Sequence, residues 1–216
     1  MDEMTVVVSS LALMLGAGWA SGINLYAAML AIGIMGNTGV MVLPEDLVIL
    51  SHPLVIFAAG IMYVIEFFAD KIPGVDTGWD VLHTFIRIPA GAILATAAVG
   101  DVSEPVALAA AIIGGGMALT THATKSGSRV LVNTSPEPFS NIGVSLLEDV
   151  AVFFGIWTAL NHPLLFIGLL ILFLIFAAWM LPRIWRGIKR VFAFLTRPFR
   201  PRQGDAMQDR VPDGVD

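Results

Sequence analysis

The sequence predicts an all-α integral membrane protein of about six transmembrane helices, arranged as two inverted three-helix repeats. Three observations favour this fold class. Of the 216 residues, 56% are hydrophobic and only 13% are charged, whereas about a quarter of the residues of a soluble domain are charged. The apolar residues form runs of roughly the 20 residues that a bilayer crossing needs, and the mean hydropathy is +0.81. Two of these runs are long and interrupted near the middle by Gly and Ser.

The first repeat is expected over about residues 5–100. Its first apolar run, residues 5–36, is longer than one crossing requires, which is typical of a broken or strongly tilted helix. Residues 40–50 contain a proline and two acidic side chains and are interpreted as a loop. Residues 53–70 and 80–100 form the second and third predicted spans.

The second repeat is expected over about residues 105–182. Residues 105–132 repeat the long interrupted pattern. Residues 139–160 form the fifth predicted span and residues 163–182 the sixth. Because the sixth span is the most uniformly apolar, we expect it to face lipid. Residues 1–182 together form the predicted transmembrane domain.

The chain beyond this domain is basic and then polar. Residues 183–202 carry seven Arg and Lys side chains and are expected to form a cytoplasmic juxtamembrane segment, because Lys and Arg collect on the cytoplasmic side. Residues 203–216 read as a disordered tail. With six spans the N-terminus is also cytoplasmic, and no basic residue precedes the first span, so it is expected to remain as a helix. The expected location is the bacterial inner membrane.

The two interrupted runs suggest a substrate site. A pair of Gly-interrupted apolar segments at corresponding places in two halves indicates where a transporter binds its substrate. We therefore expect an unknown small solute to bind between two walls. The first wall comprises Ser21, Gly22, Asn24 and Tyr26, and the second comprises Thr121, His122, Lys125, Ser126, Gly127 and Arg129.

The second wall carries charge, and the first carries almost none. Backbone N–H groups at a helix break, beside Lys125 and Arg129, would suit an anionic solute. Two alternatives remain open. Any six-span protein divides into three plus three, so the repeat could be coincidental. In addition, Lys125 and Arg129 could extend to the cytoplasmic interface instead of facing a site.

Several ionisable residues fall within the predicted spans, where they are costly and are candidates for function. Glu66 and Asp70 are four residues apart and share one helix face. Asp80, His83, Thr84 and Arg87 form a second stripe across the next turn, so an ion pair between an acidic residue and Arg87 is expected. The predicted coupling or ion-binding residues are Glu66, Asp70, Arg87, Glu148 and Asp149.

These acidic residues have a structural interpretation as well. The network around Arg87 could neutralise itself and hold helices together. Glu148 could bond backbone groups that a broken helix leaves free. Two adjacent acids such as Glu148 and Asp149 would not both ionise easily in a low dielectric, so one of them is expected to retain a proton.

Other functions find little support in the sequence. Cysteine is absent, which excludes a disulfide or thiolate metal site. The four histidines are scattered and no nucleophile–base motif is present, so we expect neither a metal site nor an enzyme, and no cofactor. No nucleic-acid motif occurs. The expected partners are the lipid bilayer, a small solute and, because the chain is short for a transporter, a second copy in a homodimer.

Three strings carry a family resemblance: SGINLYAAMLAIGI, EFFADKIPGVDTGWDVLHTFIRIPAGA and THATKSGSRVLVNTSPEPFSN. They resemble an uncharacterised bacterial membrane protein family, number 4126 among the domains of unknown function, over roughly residues 8–180. That family has no established activity, so the resemblance implies no functional residue. A weaker likeness links residues 66–71 to the E-x-G-D-[KR]-[TS] motif of cation/proton exchangers, with one residue too many and Ala in place of Gly.

The function predicted from the sequence is therefore transport of a small solute or ion, with carboxylate coupling. The alternative is a membrane scaffold, partner subunit or lipid-binding protein whose polar residues only pack helices. Transport predicts that the two breaks converge on a water-accessible cavity lined by Glu66 or Glu148. The alternative predicts that both acids are sealed in salt bridges.

Overall fold

A computed structural model describes residues 3–72, 74–132 and 138–196 of the chain. Within these residues the protein has six α-helices and one short 3-10 helix, Glu45–Ser51, between the first two. The α-helices are α1 Glu3–Asn37, α2 Pro53–Ala69, α3 Val75–Val99, α4 Glu104–Val132, α5 Pro138–Asn161 and α6 Pro163–Thr196.

The apolar runs become helices of membrane-spanning length. Five helices, α1 and α3 to α6, are long and apolar enough to cross a membrane. The 3-10 helix and α2 lie at 68° to each other and make a sixth span if the pair counts as one. The prediction of an all-α chain with five to six long apolar helices is confirmed, and it indicates a membrane protein.

Two predicted boundaries are wrong. The predicted loop at residues 40–50 contains most of the 3-10 helix, because Leu47 and Leu50 bury their side chains in the core beside α1. The sixth span does not stop at residue 182. Helix α6 continues through Pro182 to Thr196, and Ile184 is buried beyond the proline. The predicted juxtamembrane segment thus begins as helix. Residues 133–137 and the predicted tail at 203–216 lie outside the described residues.

Small residues let α1, α3 and α4 approach one another closely. Gly18 and Gly22 lie on one face of α1. A Cβ atom at Gly18 would lie 2.8 Å from the carbonyl oxygen of Gly114 in α4, and one at Gly22 would lie 2.7 Å from the Cβ of Thr121. Gly114 also contacts α3, since its Cβ would lie 2.7 Å from the carbonyl oxygen of Gly91. This small-residue spacing is common where membrane helices pack backbone to backbone.

Helix α6 occupies the periphery, as expected. Only 17% of an 18-residue apolar stretch of this helix is buried within the protein. Its large side chains, such as Leu164, Leu172 and Ile175, are exposed. The interior is instead built around α1, which supplies about half of the buried core and contacts every other described helix. Any site inside the protein must therefore lie against α1.

Candidate functional site

Helix α1 is broken at Asn24, whose backbone is extended (φ −149°, ψ 100°) inside an otherwise helical segment. An extended residue leaves backbone groups on both sides without their helical partners. The Asn24 side chain supplies one partner, because its Oδ1 accepts a 2.9 Å hydrogen bond from the Ala27 N–H, as an N-cap does. Lys125 supplies another by donating a 2.8 Å hydrogen bond to the Ile23 carbonyl. A break in the first helix is thus confirmed, but it lies at Asn24, two to three residues after the predicted place at Ser21 and Gly22.

The second predicted helix break does not occur. Helix α4 runs without interruption from Glu104 to Val132, through Ser126 and Gly127. The hydroxyl groups of Thr121 and Thr124 donate to the carbonyls four residues earlier, so these polar side chains bond within the helix and do not replace it. The polar run of α4 is a continuous helical face, and the symmetry of two broken helices is wrong.

A charged cluster lies between this face and the break. We use the term charged cluster for ten neighbouring side chains that form ion pairs. Eight of them form one connected network, and Lys71 and Asp149 form a separate pair beside it. The ten side chains come from α2, α3, α4, α5 and the turn between α2 and α3. Its six carboxylates are Glu66, Asp70, Asp76, Asp80, Glu148 and Asp149, and its four basic side chains are Lys71, Arg87, Lys125 and Arg129.

The expected pairing of Arg87 is confirmed. Its Nη2 lies 2.7 Å from Glu66 Oε1, and its Nη1 lies 3.0 Å from Asp80 Oδ1. The side chains of Arg87 and Glu66 are completely buried. This pair is sealed, as the structural alternative predicts.

Lys125 lies close to four carboxylates of the cluster. Its Nζ lies 2.8 Å from Asp70 Oδ2 and within 3.7–3.9 Å of three further carboxylates, those of Glu66, Asp80 and Glu148. Since its side chain is only 2% exposed, it does not extend to an interface. It can hold four acidic residues from three helices at one point.

Arg129 also turns inward. Its Nη2 pairs with Glu148 and lies 3.2 Å from Asp70 Oδ2, while Nη1 donates to the Asp70 carbonyl at 2.7 Å. The alternative that Lys125 and Arg129 reach the membrane surface is therefore wrong. Neutralising carboxylates in the interior is a stronger constraint on these cations than access to water.

His122 is held as a neutral imidazole between α3 and α4. Its Nδ1 lies 3.1 Å from Arg87 Nη1, which can only donate, so Nδ1 is an acceptor. Its Nε2 then carries the proton and donates to Thr84 Oγ1 at 2.7 Å, because the Thr84 hydroxyl itself donates to the Asp80 carbonyl at 2.9 Å. A protonated His122 would place a donor against Arg87.

The two adjacent acidic residues of α5, Glu148 and Asp149, contact different partners. Glu148 reaches Arg129 and Lys125. Asp149 reaches Asn24, whose Nδ2 donates to Asp149 Oδ1 at 3.2 Å, and Lys71, whose Nζ lies 3.7 Å from Asp149 Oδ2. Burial lowers the pKa of the Lys71 ammonium, and the carboxylate of Asp149 opposes that shift. Asp149 thus connects the turn between α2 and α3 to the break in α1.

Most of the predicted wall residues meet here. Ser21 Oγ donates to the Arg87 carbonyl at 2.8 Å, and the Tyr26 hydroxyl lies 3.3 Å from His83 Nε2. Ser126 Oγ donates to Asp80 Oδ2 at 3.2 Å. Gly127 points elsewhere, because it packs against Ile184 of α6.

Sequence reasoning passed over several members of this region. Asp76, Asn141 and Ser145 were not identified, although Asp76 lies four residues before Asp80, and Ser145 and Asn141 lie four and eight residues before Asp149. Asn141 Nδ2 donates to the Asp70 carbonyl at 3.2 Å, and Ser145 Oγ accepts from Lys71 at 3.3 Å. Their helical spacing from Asp80 and Asp149 was the available signal.

The cluster is closed and carries an excess of acid. Its most exposed side chains, Lys71 and Glu148, are each 15% exposed. Carboxylates outnumber basic groups by six to four, and among the described residues three buried carboxylate oxygens have no hydrogen-bond partner: Glu66 Oε2, Asp70 Oδ1 and Asp149 Oδ2. Since uncompensated buried charge is costly, protons on these carboxylates would relieve the excess of negative charge.

Comparison with known proteins identifies one family. The family described as a domain of unknown function (DUF4126) has a model that matches residues 11–183. No curated protein and no solved structure matches the chain.

Proposed function

The chain belongs to the family of domain of unknown function DUF4126, and we propose that it transports a small solute or ion across a membrane, coupled to protons on its buried carboxylates. The observation that carries the proposal is the position of the charged cluster directly at the break in α1. Lys125 joins the two, because its Nζ bonds both the Ile23 carbonyl and the Asp70 carboxylate at 2.8 Å. An opening of the break therefore has to change the ion pairs.

The energetics favour a functional role for these charges. Each ionisable residue within a span costs roughly 2.5–3.5 kcal/mol to insert. Buried ion pairs usually return no more stability than well-packed apolar side chains of the same volume. A protein that needed only packing would gain nothing from ten neighbouring charges, whereas a carrier needs groups that exchange partners in the interior.

The solute is proposed to bind where α1 faces α4. Ser21, Gly22, Asn24 and Tyr26 form one wall. Lys125 and Arg129, with Thr121, His122 and Ser126, form the other. An anionic solute would replace Glu148 on Arg129, because this ion pair is the most exposed link of the cluster apart from Lys71. The structure then represents a closed state, in which Glu148 occupies Arg129.

The two halves of the chain are proposed to be inverted repeats in the bacterial inner membrane, with both termini in the cytoplasm. Each half contributes an acidic residue from its second helix, Glu66 from α2 and Glu148 from α5. The first helices of the halves, α1 and α4, pack against each other through Gly18 and Gly114. Rocking of one half against the other would open the cluster.

Flux measurements in proteoliposomes test the proposal. Purified protein would be reconstituted with a pH gradient and supplied with panels of small anions and cations. Wild type is expected to move at least one solute, and Glu148→Gln is expected to abolish the pH-driven flux while the protein stays folded. Glu104→Gln, an exposed acid at the start of α4, is the matched control and should transport normally. Wild type that moves no solute, or a fully active Glu148→Gln, would refute the proposal.

A second candidate function is a membrane scaffold or partner subunit. The complete burial of the Glu66–Arg87 pair and the uninterrupted α4 favour it. In that case Glu148→Gln would lower stability, and wild type would carry no solute. The same proteoliposome preparation, with a thermal unfolding curve for each variant, separates the two functions.

A further inference from the structure

We propose that Asp149 is the carboxylate in the charged cluster that binds the coupling proton, and that Asn24 transmits its protonation state to the break in α1. The role of Asp149 in coupling rests on the transport function proposed above. The binding of the proton and its effect on α1 do not depend on transport.

Among the described residues, Glu66, Asp70 and Asp149 each have a buried carboxylate oxygen without a hydrogen-bond partner, and Asp149 is the one of these three that lies farthest from a basic nitrogen. Its nearest basic nitrogen, Lys71 Nζ, is 3.7 Å away. Glu66 and Asp70 have basic nitrogens at 2.7 and 2.8 Å, respectively. Lys71 is in addition committed to other acceptors, since it donates to the Phe67 carbonyl at 3.0 Å and to Ser145 Oγ at 3.3 Å. Asp149 Oδ2 is buried and, among the described residues, lacks a hydrogen-bond partner.

The charged and titratable groups around Asp149 do not offset this deficit. Asn24 faces it from α1 and is neutral. Tyr63 faces it from α2, Asp70 and Lys71 from the following turn, and Lys125 from α4, while Glu148 is its neighbour on α5. Lys125 is closer to four other carboxylates than it is to Asp149. A proton on Asp149 therefore removes negative charge from the carboxylate that, of Glu66, Asp70 and Asp149, has the most distant cation.

The proton would bind to Oδ2, the oxygen without a hydrogen bond. It would come from a hydronium ion of the solvent, whose O–H bond breaks to leave water, and no other covalent bond changes. Oδ1 would remain the acceptor of the Asn24 amide, but this bond would change from a charge-assisted one to a neutral one, which is roughly half as strong. Lys71 would lose its ion-pair partner and keep its two neutral acceptors.

Asn24 can transmit the weakening of this hydrogen bond to α1, because it contacts both Asp149 and the helix. Its amide nitrogen bonds Asp149, and its amide oxygen caps the second half of α1 at Ala27. One rigid planar group therefore ties the carboxylate to the helix N-terminus. When the bond to Asp149 weakens, the side chain is less well held, and the cap on Ala27 weakens with it. Protonation thus loosens the break, whereas ionisation fixes it.

Infrared difference spectroscopy tests the proton site directly. The protein in lipid nanodiscs would be titrated with acid while the carbonyl stretch of protonated carboxylic acids is followed. Exposed carboxylates such as Asp101 also contribute to the band that rises on acidification, so one component of this band is expected to be absent in Asp149→Asn and present in wild type and in the control variants Glu148→Gln and Asp101→Asn. A wild-type band that Asp149→Asn leaves unchanged, or no such band in wild type, overturns the assignment.

Hydrogen exchange tests the link between protonation of Asp149 and the break in α1. Because this measurement uses wild-type protein, it does not depend on the folding of Asp149→Asn. Protection of the Ala27 amide, corrected for intrinsic exchange, is expected to fall severalfold when Asp149 is protonated. Asn24→Ala should reduce the protection of the Ala27 amide both where Asp149 is ionised and where it is protonated. It should also abolish the dependence of this protection on pH. Equal protection of wild type at both pH values overturns the link. A titrating Asp149 component of the band without flux would refute transport alone, and flux without this component would refute this inference alone.

Discussion

Lys125 of α4 donates a hydrogen bond of 2.8 Å to the backbone carbonyl of Ile23, the last carbonyl before the break in α1. This bond joins a charged side chain of one half of the chain to a buried helix end in the other. A cation at a helix C-terminus is favourable, and in the membrane interior it also satisfies an acceptor that water cannot reach. The break and the charged cluster therefore form one structural unit.

Removal of the Lys125 charge is expected to destabilise the protein strongly. Lys125→Met keeps the length of the side chain but leaves Asp70 and the Ile23 carbonyl without their donor. The expected loss is about 3–5 kcal/mol in the free energy of unfolding, as for other broken buried ion pairs. Denaturant unfolding in detergent would measure it. Lys189→Met, at an exposed position of α6, is the control, and an equal effect of the two variants would contradict this expectation.

Glu66 and Arg87 are expected to be energetically coupled. Their side chains are completely buried and 2.7 Å apart, so either Glu66→Gln or Arg87→Gln leaves the other buried charge without its closest partner. The double variant removes both charges and should cost less than the sum of the single ones, with a coupling energy of about 1–3 kcal/mol. A double-mutant cycle of unfolding free energies measures this coupling, and strictly additive effects would disprove it.

Gly22 is expected to tolerate no side chain. A Cβ atom at this position would lie 2.7 Å from the Cβ of Thr121, so Gly22→Leu forces α1 away from α4 and separates the break from the cluster. We expect a loss of at least about 1–3 kcal/mol, typical of an overpacked core. Gly116→Leu is the matched control, because the space around Gly116 is open. Thermal melting of both variants distinguishes them, and similar melting temperatures would contradict the close packing.

The reactivity of Lys71 is expected to report on Asp149. Burial lowers the pKa of Lys71, and the Asp149 carboxylate raises it. Asp149→Asn removes the raising contribution, so the pKa of Lys71 falls further and more of the amine is neutral at a given pH. At a mildly alkaline pH where Asp149 is ionised in wild type, acylation of Lys71 should therefore be faster in the variant.

Mass spectrometry would follow this acylation relative to Lys189. Glu148→Gln serves as the control because Glu148 pairs with Arg129 and Lys125 instead. Slower or unchanged acylation of Lys71 in Asp149→Asn would show that the carboxylate does not act on this amine.

Local spacing was sufficient to predict part of the site. Glu66 and Asp70 share a helix face, and Asp80 and Arg87 share another, because helical periodicity alone places them there. Since only a short turn separates α2 from α3, the pairing of Arg87 with an acidic residue was also predictable. The partners of Lys125 were not, because they come from α1, α2, α3 and α5 and depend on which faces meet.

The sequence by itself determined the helices, because every apolar run of sufficient length must satisfy its backbone internally in a membrane. It also indicated a break in α1 near Asn24. Only the tertiary structure decided that α4 stays unbroken, that Lys125 and Arg129 point inward, and that Glu148 and Asp149 take different partners. The physical reason is that a helix breaks, and a charge is buried, only where side chains from other helices supply the missing hydrogen bonds and counter-charges.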